Sequence, residues 1–231
     1  MVSSFYYGVN MNTTITIKDY PCGSGKTSGM IKNFKKDEKY IVILPYLSEV
    51  DRVIFETKHV SFVQPKPNDT NQHTKTASLR EHLLLGNNVA TTHSLYDQLV
   101  PIAEEGLLDD YNIIIDEVLD VIEPVATKSE TSIQEFYIDS GFVEVKENGL
   151  VLATDKWREK KADVSDTLDN KILNYAETGC LYLLGKHMFI WAMPSILLCA
   201  GKTIIIMTFK AEGSLLVSYM ENLSLPYVIE R

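Results

Sequence analysis

The sequence has few cysteines, no long apolar run and no excess of positive charge, and each absence narrows the possible functions. Its three cysteines lack metal-like spacing and the even count of a disulfide framework, which favours a reducing, intracellular setting. The net charge of −9 argues against clamping of nucleic acid over the whole surface. The most apolar window, 188–200, is shorter than a membrane span and contains Pro194, so we expect it to be buried core. No basic stretch precedes an apolar core near residue 1, so no secretory signal is expected.

Residues 21–27 read PCGSGKT, a glycine-rich turn followed by Lys-Thr, which is typical of a phosphate-binding loop. A β-branched run, 13–17, precedes the turn, and spaced apolar residues follow it at 30–34, as the strand–loop–helix context requires. The backbone of the Gly23-Ser24-Gly25 turn can aim N–H groups at phosphate oxygens. The predicted ligand is therefore a nucleoside triphosphate with magnesium.

Two side chains of this loop carry predicted roles. Lys26 would neutralise the β- and γ-phosphates, and the Thr27 hydroxyl would help hold Mg²⁺ at the start of a helix that opens at one of these two residues. The strict pattern wants a glycine at position 20, where Tyr20 stands. A Gly/Ser surface turn that happens to precede Lys-Thr is the alternative. Cys22 lies inside the loop and is assigned no chemistry.

Short β-branched runs alternate with helical patterns, which predicts an α/β fold with a mostly parallel sheet. The runs are 15–17, 40–44, 89–92, 112–115 and 203–207. At 231 residues the chain suits one large α/β domain or a domain with a subdomain. The predicted core comprises 1–123 and 201–231, and an α+β insertion spans 124–200.

Turn and helix signals place further elements. In the insertion, Glu147-Asn148-Gly149 predicts a type I′ hairpin. The charged residues 156–178 predict a helical stretch. In the core, 64–76 is polar and predicts a long loop, and Ser78-Leu79-Arg80-Glu81 predicts a capping box at a helix start.

A second constellation is the apolar strand 112–115, which ends in Asp116-Glu117. An Asp at such a strand tip can bind Mg²⁺ opposite Thr27, and the neighbouring Glu can orient and deprotonate the water that attacks the γ-phosphate. A solvated Asp-Glu helix N-terminus is the alternative. The phosphate loop upstream favours catalysis, with Lys26, Asp116 and Glu117 as the catalytic residues.

The order of these motifs resembles the first motor domain of superfamily 2 (DEAD/DEAH-like) helicases, over roughly residues 13–220 outside the insertion. Four motifs carry the resemblance: Pro-x-Gly-Ser-Gly-Lys-Thr, Thr91-Thr92-His93, Asp116-Glu117 and Met207-Thr208. Their exact residues are similar to those of phage and prophage helicase-like proteins. The resemblance implies a RecA-like P-loop NTPase fold, a three-layer sandwich that uses ATP and Mg²⁺. It also implies a cytoplasmic location, in a bacterial or phage-infected cell, and no membrane partner.

The resemblance further implies roles in nucleic-acid binding and coupling. Pro45 and Tyr46 would contact the backbone of single-stranded or forked nucleic acid, with DNA favoured, and so would Thr92 and His93. Thr208 would couple the ATP site to strand separation. The alternatives are a packed aromatic for Tyr46 and a helix-capping polar residue for His93.

The sequence also departs from the family pattern. Leu119 stands where the named subfamilies carry Asp or His, Thr208-Phe209 differs from the usual Ser/Thr-Ala-Thr, and no adenine-reading glutamine motif precedes the loop. We also expect the chain to lack the second motor domain. Arginine fingers would then come from such a domain or from a partner protein, and the domain alone would hydrolyse ATP slowly.

The remaining histidines, tryptophans and basic residues give weaker indications of ligand binding. The histidines at 59, 73, 82 and 187 are scattered, without the spacing of a metal site. Trp157 and Trp191 could stack on bases, although burial is favoured for Trp191. A basic cluster at 156–161 could meet nucleic acid, but Asp155 and Glu159 interrupt it, which favours a solvated helix face.

Two other functions stay open beside an ATPase of helicase type. A single-domain P-loop module of phage origin could dock on a replication, packaging or defence protein without being a helicase. A small P-loop kinase fits the size, but the Asp-Glu strand tip and the dispersed arginines argue against it.

Overall fold

The computed structural model describes residues 13–21, 23–67, 74–117, 120–160 and 167–231. They belong to two compact units. The first unit combines the chain up to residue 119 with residues 195–231, and the second comprises residues 120–194. The division of the chain into an ATP-binding core and an insertion at 123/124 and 200/201 stays a prediction.

Twelve strands and eight α-helices occur in the part of the chain that the structure describes. The strands are β1 (Thr14–Asp19), β2 (Lys39–Leu44), β3 (Phe62–Val63), β4 (Asn88–Thr92), β5 (Tyr111–Asp116), β6 (Ile122–Thr127), β7 (Val143–Val145), β8 (Leu150–Ala153), β9 (Leu181–Leu184), β10 (Met188–Ala192), β11 (Thr203–Thr208) and β12 (Tyr227–Glu230). The helices are α1 (Lys26–Asn33), α2 (Leu47–Glu56), α3 (Lys75–Leu84), α4 (Val100–Glu104), α5 (Glu130–Ile133), α6 (Asp155–Lys160), α7 (Thr167–Glu177) and α8 (Leu215–Asn222).

The first unit is built on a seven-stranded sheet of order β12-β1-β11-β5-β2-β4-β3, in which every pairing is parallel. The predicted α/β class with a mostly parallel sheet is therefore confirmed. The five β-branched runs lie in β1, β2, β4, β5 and β11. Such runs form strands here because branched side chains pack well on a sheet that is covered on both faces.

Both faces of the central strands are buried. On one face, apolar residues of α1 and α2 pack against Val42, Leu44 and Ile114. Ile41 and Ile113 point to the opposite face and are at most 1% exposed. Burial of each such side chain contributes roughly 1.5–3 kcal/mol, so this sheet is a rigid support for the loops at its edges.

The register of the sheet brings the carboxyl ends of its strands to one edge. Asp19 lies opposite Thr208, and Met207 opposite Asp116. Leu44, the last residue of β2, lies opposite Thr92 at the end of β4. Ligands of open parallel sheets bind at this edge. The loops that follow β1, β2, β4, β5 and β11 therefore define the site.

The second unit is an antiparallel sheet of order β6-β10-β9-β8-β7. Residues of α5, α6, α7 and the sheet form one apolar core that includes Tyr137, Trp157 and Phe189. The predicted helical stretch 156–178 corresponds to α6 and α7, with 161–166 outside the described residues. The window 188–200 contributes β10 and is largely buried, as expected.

The hairpin of β7 and β8 is confirmed, but its predicted turn type is wrong. Gly149 adopts φ 85°, whereas Asn148 keeps a negative φ. A type I′ turn needs positive φ at both central residues, so this loop is a three-residue turn with only glycine in the left-handed region. The Lys146 N–H donates to the Leu150 carbonyl at 2.8 Å and closes it.

The predicted capping box at residues 78–81 is also wrong, because α3 begins one turn earlier. Thr74 is the N-cap, and its hydroxyl accepts a hydrogen bond from the Ala77 N–H. Ser78 therefore lies inside the helix, where its hydroxyl accepts from the Lys66 N–H at 3.3 Å. The predicted loop 64–76 is shorter than expected: 64–67 has no regular structure, 68–73 lies outside the described residues, and α3 includes 75 and 76.

Candidate nucleotide-binding site

The loop between β1 and α1 has the backbone that its glycines predict. Gly25 precedes α1 with φ 80° and ψ 22°, and Gly23 has φ 78°. Both values lie in the left-handed region, which glycine enters without the Cβ clash of other residues. A Cβ on either glycine would meet nothing within 4 Å, so the loop borders open space. The helix opens at Lys26, as predicted, and the first N–H groups of a helix have no intrahelical acceptor. Cys22 lies outside the described residues.

The Lys26 side chain lies across the tips of two neighbouring strands. Its Nζ donates to the Tyr20 carbonyl and to the Thr208 carbonyl, each at 3.0 Å. The Tyr20 N–H also donates to the Thr208 carbonyl at 3.0 Å. An ammonium group has three donors, so these two contacts leave one for an anionic ligand.

Thr27 and Asp116 meet directly. The Thr27 hydroxyl donates to Asp116 Oδ2 at 2.8 Å, and Asp116 is 7% exposed. The hydroxyl and carboxylate oxygens form a small group of hard ligands, the type that Mg²⁺ prefers. The residues therefore fit the magnesium ion that the sequence implies.

Glu117 turns sharply away from the strand that carries Asp116. Its φ is 66°, which is uncommon for a residue other than glycine, and its N–H still donates to the Met207 carbonyl at 2.9 Å. The side chain is exposed at the strand edge. Residues 118 and 119, which include the departure at Leu119, lie outside the described residues.

His93 contacts the same strand tip from further along the sheet. Its Nε2 donates to the Asp116 carbonyl at 2.9 Å, across the intervening tip of β2. Burial lowers the pKa of His93 below its ordinary value, and the Asp116 carbonyl with the charges of Glu117 and Asp116 opposes only part of that effect. The bond requires a proton on Nε2, which either the neutral or the charged ring can supply. The structure thus brings His93 to the candidate nucleotide site, while its predicted contact with nucleic acid stays a prediction.

The other predicted nucleic-acid residues lie along the same edge. Pro45 and Tyr46 follow β2, and Tyr46 is 66% exposed, so it is not a packed core aromatic. Thr92 ends β4, and its hydroxyl shares a 2.9 Å hydrogen bond with the Ser94 hydroxyl. These residues are accessible or half-buried, and their roles stay predictions.

Thr208 and Tyr20 act through their main chains. Thr208 is buried, and its carbonyl accepts from both Tyr20 and Lys26. Tyr20 stood out in the sequence only as a missing glycine, yet its carbonyl holds the Lys26 ammonium. No sequence signal could have found this contact, because every residue type offers a carbonyl.

A cavity of about 420 Å³ borders the loop on the side of α1. Its lining runs from Ser24 and Lys26 to Glu38 and Asn112, with apolar side chains between. The Asn112 amide donates to Glu38 at 2.8 Å and closes the polar end. Lys18 and Lys35 also line the cavity, so it adds both space and positively charged side chains next to the loop.

Comparisons with known proteins give a curated relative from a prophage. No protein-family model matches the chain. The SPbeta prophage-derived uncharacterized protein YonV of Bacillus subtilis (strain 168) is 24% identical over 224 residues. The match covers 92% of this chain and 53% of YonV, so the chain spans about half the length of that relative.

Three solved structures overlap most of the chain at low identity. Xpd4 of S. tokodaii has 13% identity and a TM-score of 0.45, and the overlap covers 97% of this chain and 58% of that one. An apo XPD has 15% identity and a TM-score of 0.45, over 96% and 55% of the two chains. A truncated XPD has 14% identity and a TM-score of 0.41, over 95% and 96%. These values establish neither fold nor function, so the fold rests on the strand order and register given above.

Two negative observations apply to the described ranges alone. None of their helices combines the length and apolarity needed to cross a bilayer. Within the same ranges, no three His, Cys, Asp or Glu side chains cluster as metal ligands.

Proposed function

We propose that the first unit binds ATP with Mg²⁺ and hydrolyses it as the motor domain of a DNA helicase or translocase of superfamily 2 type, with the second unit as an insertion. The observation that carries this proposal is the 2.8 Å hydrogen bond between Thr27 and Asp116, which joins the two halves of a nucleotide site. The prophage-derived relative supports a phage origin.

The phosphate loop supplies the binding groups. The backbone N–H groups of Gly23, Ser24 and Gly25, with the start of α1, bind phosphate oxygens. Lys26 is anchored at its two carbonyl contacts and offers its remaining donor to the β- and γ-phosphates. The positive end of the α1 dipole adds to this attraction.

Thr27 and Asp116 hold the metal, and Glu117 orients and deprotonates the attacking water. When bound, Mg²⁺ neutralises charge on the phosphates. Glu117 accepts a proton from water as the general base. Glu117 is exposed and left-handed, whereas Asp116 is buried in β5, and the two neighbouring carboxylates serve different tasks.

The carboxyl edge of the sheet also serves nucleic acid. The backbone of single-stranded or forked DNA contacts the residues at the ends of two strands. These are Pro45 and Tyr46 after β2, and Thr92 and His93 at the end of β4. Thr208 couples the two ligands, because its carbonyl contacts the Lys26 ammonium directly.

Full hydrolytic activity requires an arginine from a second motor domain or from a partner protein. Each of the four arginines of this chain is already paired with a carboxylate. An arginine supplied from outside the site accelerates hydrolysis by about 10³–10⁵ in nucleotide hydrolases of this class. Slow turnover is therefore expected of the motor domain by itself.

The test compares ATP binding and single-stranded-DNA-dependent ATP hydrolysis in Lys26→Ala and Lys32→Ala. Lys32 is an exposed lysine of the same helix, so Lys32→Ala is matched in charge. Lys26→Ala should abolish ATP binding and Lys32→Ala should not. Unchanged ATP binding by Lys26→Ala would contradict the proposal, and retained capture of a stoichiometric protein partner by that variant would favour the interaction module instead.

A further inference from the structure

The second unit contains a cavity of about 550 Å³ with an aromatic lining. Trp157 and Tyr137 form its buried floor, with ring centroids 5.6 Å apart. Phe142 packs against Trp157 at 6.0 Å. Phe136 stands at the margin and is 65% exposed. An exposed phenylalanine beside three further rings presents a π-surface to solvent.

Basic side chains complete the lining. Lys128 and Lys160 border the cavity, and the Lys128 ammonium lies 5.3 Å from the centre of the Tyr137 ring. Lys156 does not line the cavity, but its ammonium lies 5.6 Å from the centre of the Phe142 ring and donates to the Ser140 carbonyl. No carboxylate belongs to the described lining, although the chain has a net charge of −9. The described lining thus combines aromatic rings with two lysines.

The spacing of α6 explains how one short helix supplies both kinds of group. Trp157 and Lys160 are three residues apart and share a face, which is turned to the cavity. Arg158 of the same helix is paired with Asp155 at 2.6 Å. Lys156, Arg158 and Lys160 are all exposed, as a solvated helix face predicts, and Lys161 lies outside the described residues.

We propose that this cavity binds one nucleotide of a single-stranded nucleic acid. Bases of every type have a π-face that stacks on aromatic side chains, and lysine ammonium groups attract the phosphates that link the nucleotides. The base would lie against Phe136 and Phe142, and the adjoining phosphate near Lys128 and Lys160. The site rests on the nucleic-acid partner proposed for the first unit, but no part of it requires ATP.

The chain carries its own reporter for this site. Its two tryptophans, Trp157 and Trp191, both belong to the second unit, and Trp157 lines the cavity. Trp191 Nε1 is buried without a hydrogen-bond partner among the described residues, so Trp191→Phe removes no such bond there. In that background, Trp157 is the sole tryptophan.

The experiment titrates the full chain carrying Lys26→Ala and Trp191→Phe with oligo(dT) and, separately, with dTMP. Lys26→Ala removes nucleotide binding at the phosphate loop, so failure of the ATP proposal leaves this measurement intact. Oligo(dT) should change the Trp157 fluorescence, and dTMP should bind at least about tenfold more weakly because it contributes a single phosphate. Equal affinity for dTMP would overturn the assignment to a strand, and an unchanged Trp157 signal would overturn the site.

Side-chain variants then test the two kinds of contact. Phe136→Leu should weaken oligo(dT) binding about tenfold, the scale of one lost stacking contact, while Phe136→Tyr retains the ring and the affinity. Leu184→Ala, an exposed apolar truncation outside the cavity, is the control. Equal affinities for all of these variants would contradict the stacking role.

The phosphate contact of Lys160 is tested through the salt dependence of oligo(dT) affinity. Lys160→Ala should reduce the slope of log affinity against log salt by about 0.7, the value for one phosphate contact on a single strand. Lys146→Ala in the β7–β8 hairpin makes the same charge change outside the cavity and should leave the slope unchanged. Identical slopes for the two variants would overturn the phosphate contact.

Discussion

The Thr27 hydroxyl donates a 2.8 Å hydrogen bond to Asp116 Oδ2, although 89 positions separate the two residues. Thr27→Val keeps the shape of the side chain but removes the donor and one metal ligand. We expect Mg²⁺-dependent ATP binding to fall by at least about tenfold, as measured by titration at several magnesium concentrations. Thr27→Ser retains the hydroxyl and should bind normally. Equal magnesium dependence in both variants would contradict the metal assignment.

Glu117→Gln separates binding from hydrolysis. Glutamine has the size of glutamate but cannot accept the proton of the attacking water, so turnover should fall by about 10²–10⁴ while ATP affinity stays unchanged. Single-turnover hydrolysis beside equilibrium ATP binding measures both effects. Normal hydrolysis by this variant would eliminate Glu117 as the general base.

His93 is expected to position the carboxylates through the Asp116 carbonyl. His93→Ala removes the donor at 2.9 Å and should lower kcat of ATP hydrolysis about tenfold with little change in KM. His93→Gln, whose amide can donate in the same direction, should recover most of kcat. A purely structural role would lower the activity of both variants through loss of folded protein, which thermal unfolding detects.

The same histidine should make stability depend on pH. Because burial lowers the pKa of His93 in the folded state, the unfolded chain binds this proton more readily. Its contribution to stability is therefore complete above about pH 6.5, the ordinary value, and is lost as the pH falls toward the lower folded pKa. The test is thermal unfolding of the wild type and of His93→Gln between pH 5 and pH 8, the range in which histidine ordinarily titrates. The melting temperature of the variant should fall less at acid pH than that of the wild type. Parallel curves would contradict this.

Gly149→Ala should destabilise the second unit. The residue has φ 85°, and a Cβ would lie 3.0 Å from the Leu183 carbonyl oxygen. Gly179→Ala is the matched control, since its φ is 69° but a Cβ there meets nothing within 4 Å. We expect Gly149→Ala to lower the free energy of unfolding by about 2 kcal/mol, and Gly179→Ala to lower it by about 1 kcal/mol. Urea unfolding followed by tryptophan fluorescence reports on this unit, and equal losses would rule out the carbonyl contact.

The parts of the fold that follow from local chemistry could be predicted from the sequence. The glycines of 21–27 predicted a tight turn, and helix α1 begins at Lys26, as expected. The buried run of β5 was visible because both of its faces are apolar. Parallel neighbours then require that Asp116 and the loop meet at one edge, which the register confirms.

The parts that depend on the main chain or on distant packing could not be predicted. The contacts of Lys26 go to carbonyl oxygens, which no residue type reveals. Ser78 offered a capping pattern, but Thr74 upstream serves as the cap. The aromatic cavity unites Phe136 and Trp157, which lie on separate helical segments, so no local pattern shows that they converge.

The backbone conformation of Glu117 lowers the stability of the folded protein. A left-handed conformation costs roughly 1–2 kcal/mol for a residue with a Cβ, so glycine is the locally preferred residue at position 117. The carboxylate there is a point of local frustration in a sequence whose other choices at this strand agree with the fold. Selection for stability alone would replace it, so directed evolution toward higher melting temperature without selection for turnover should drift to glycine at this position.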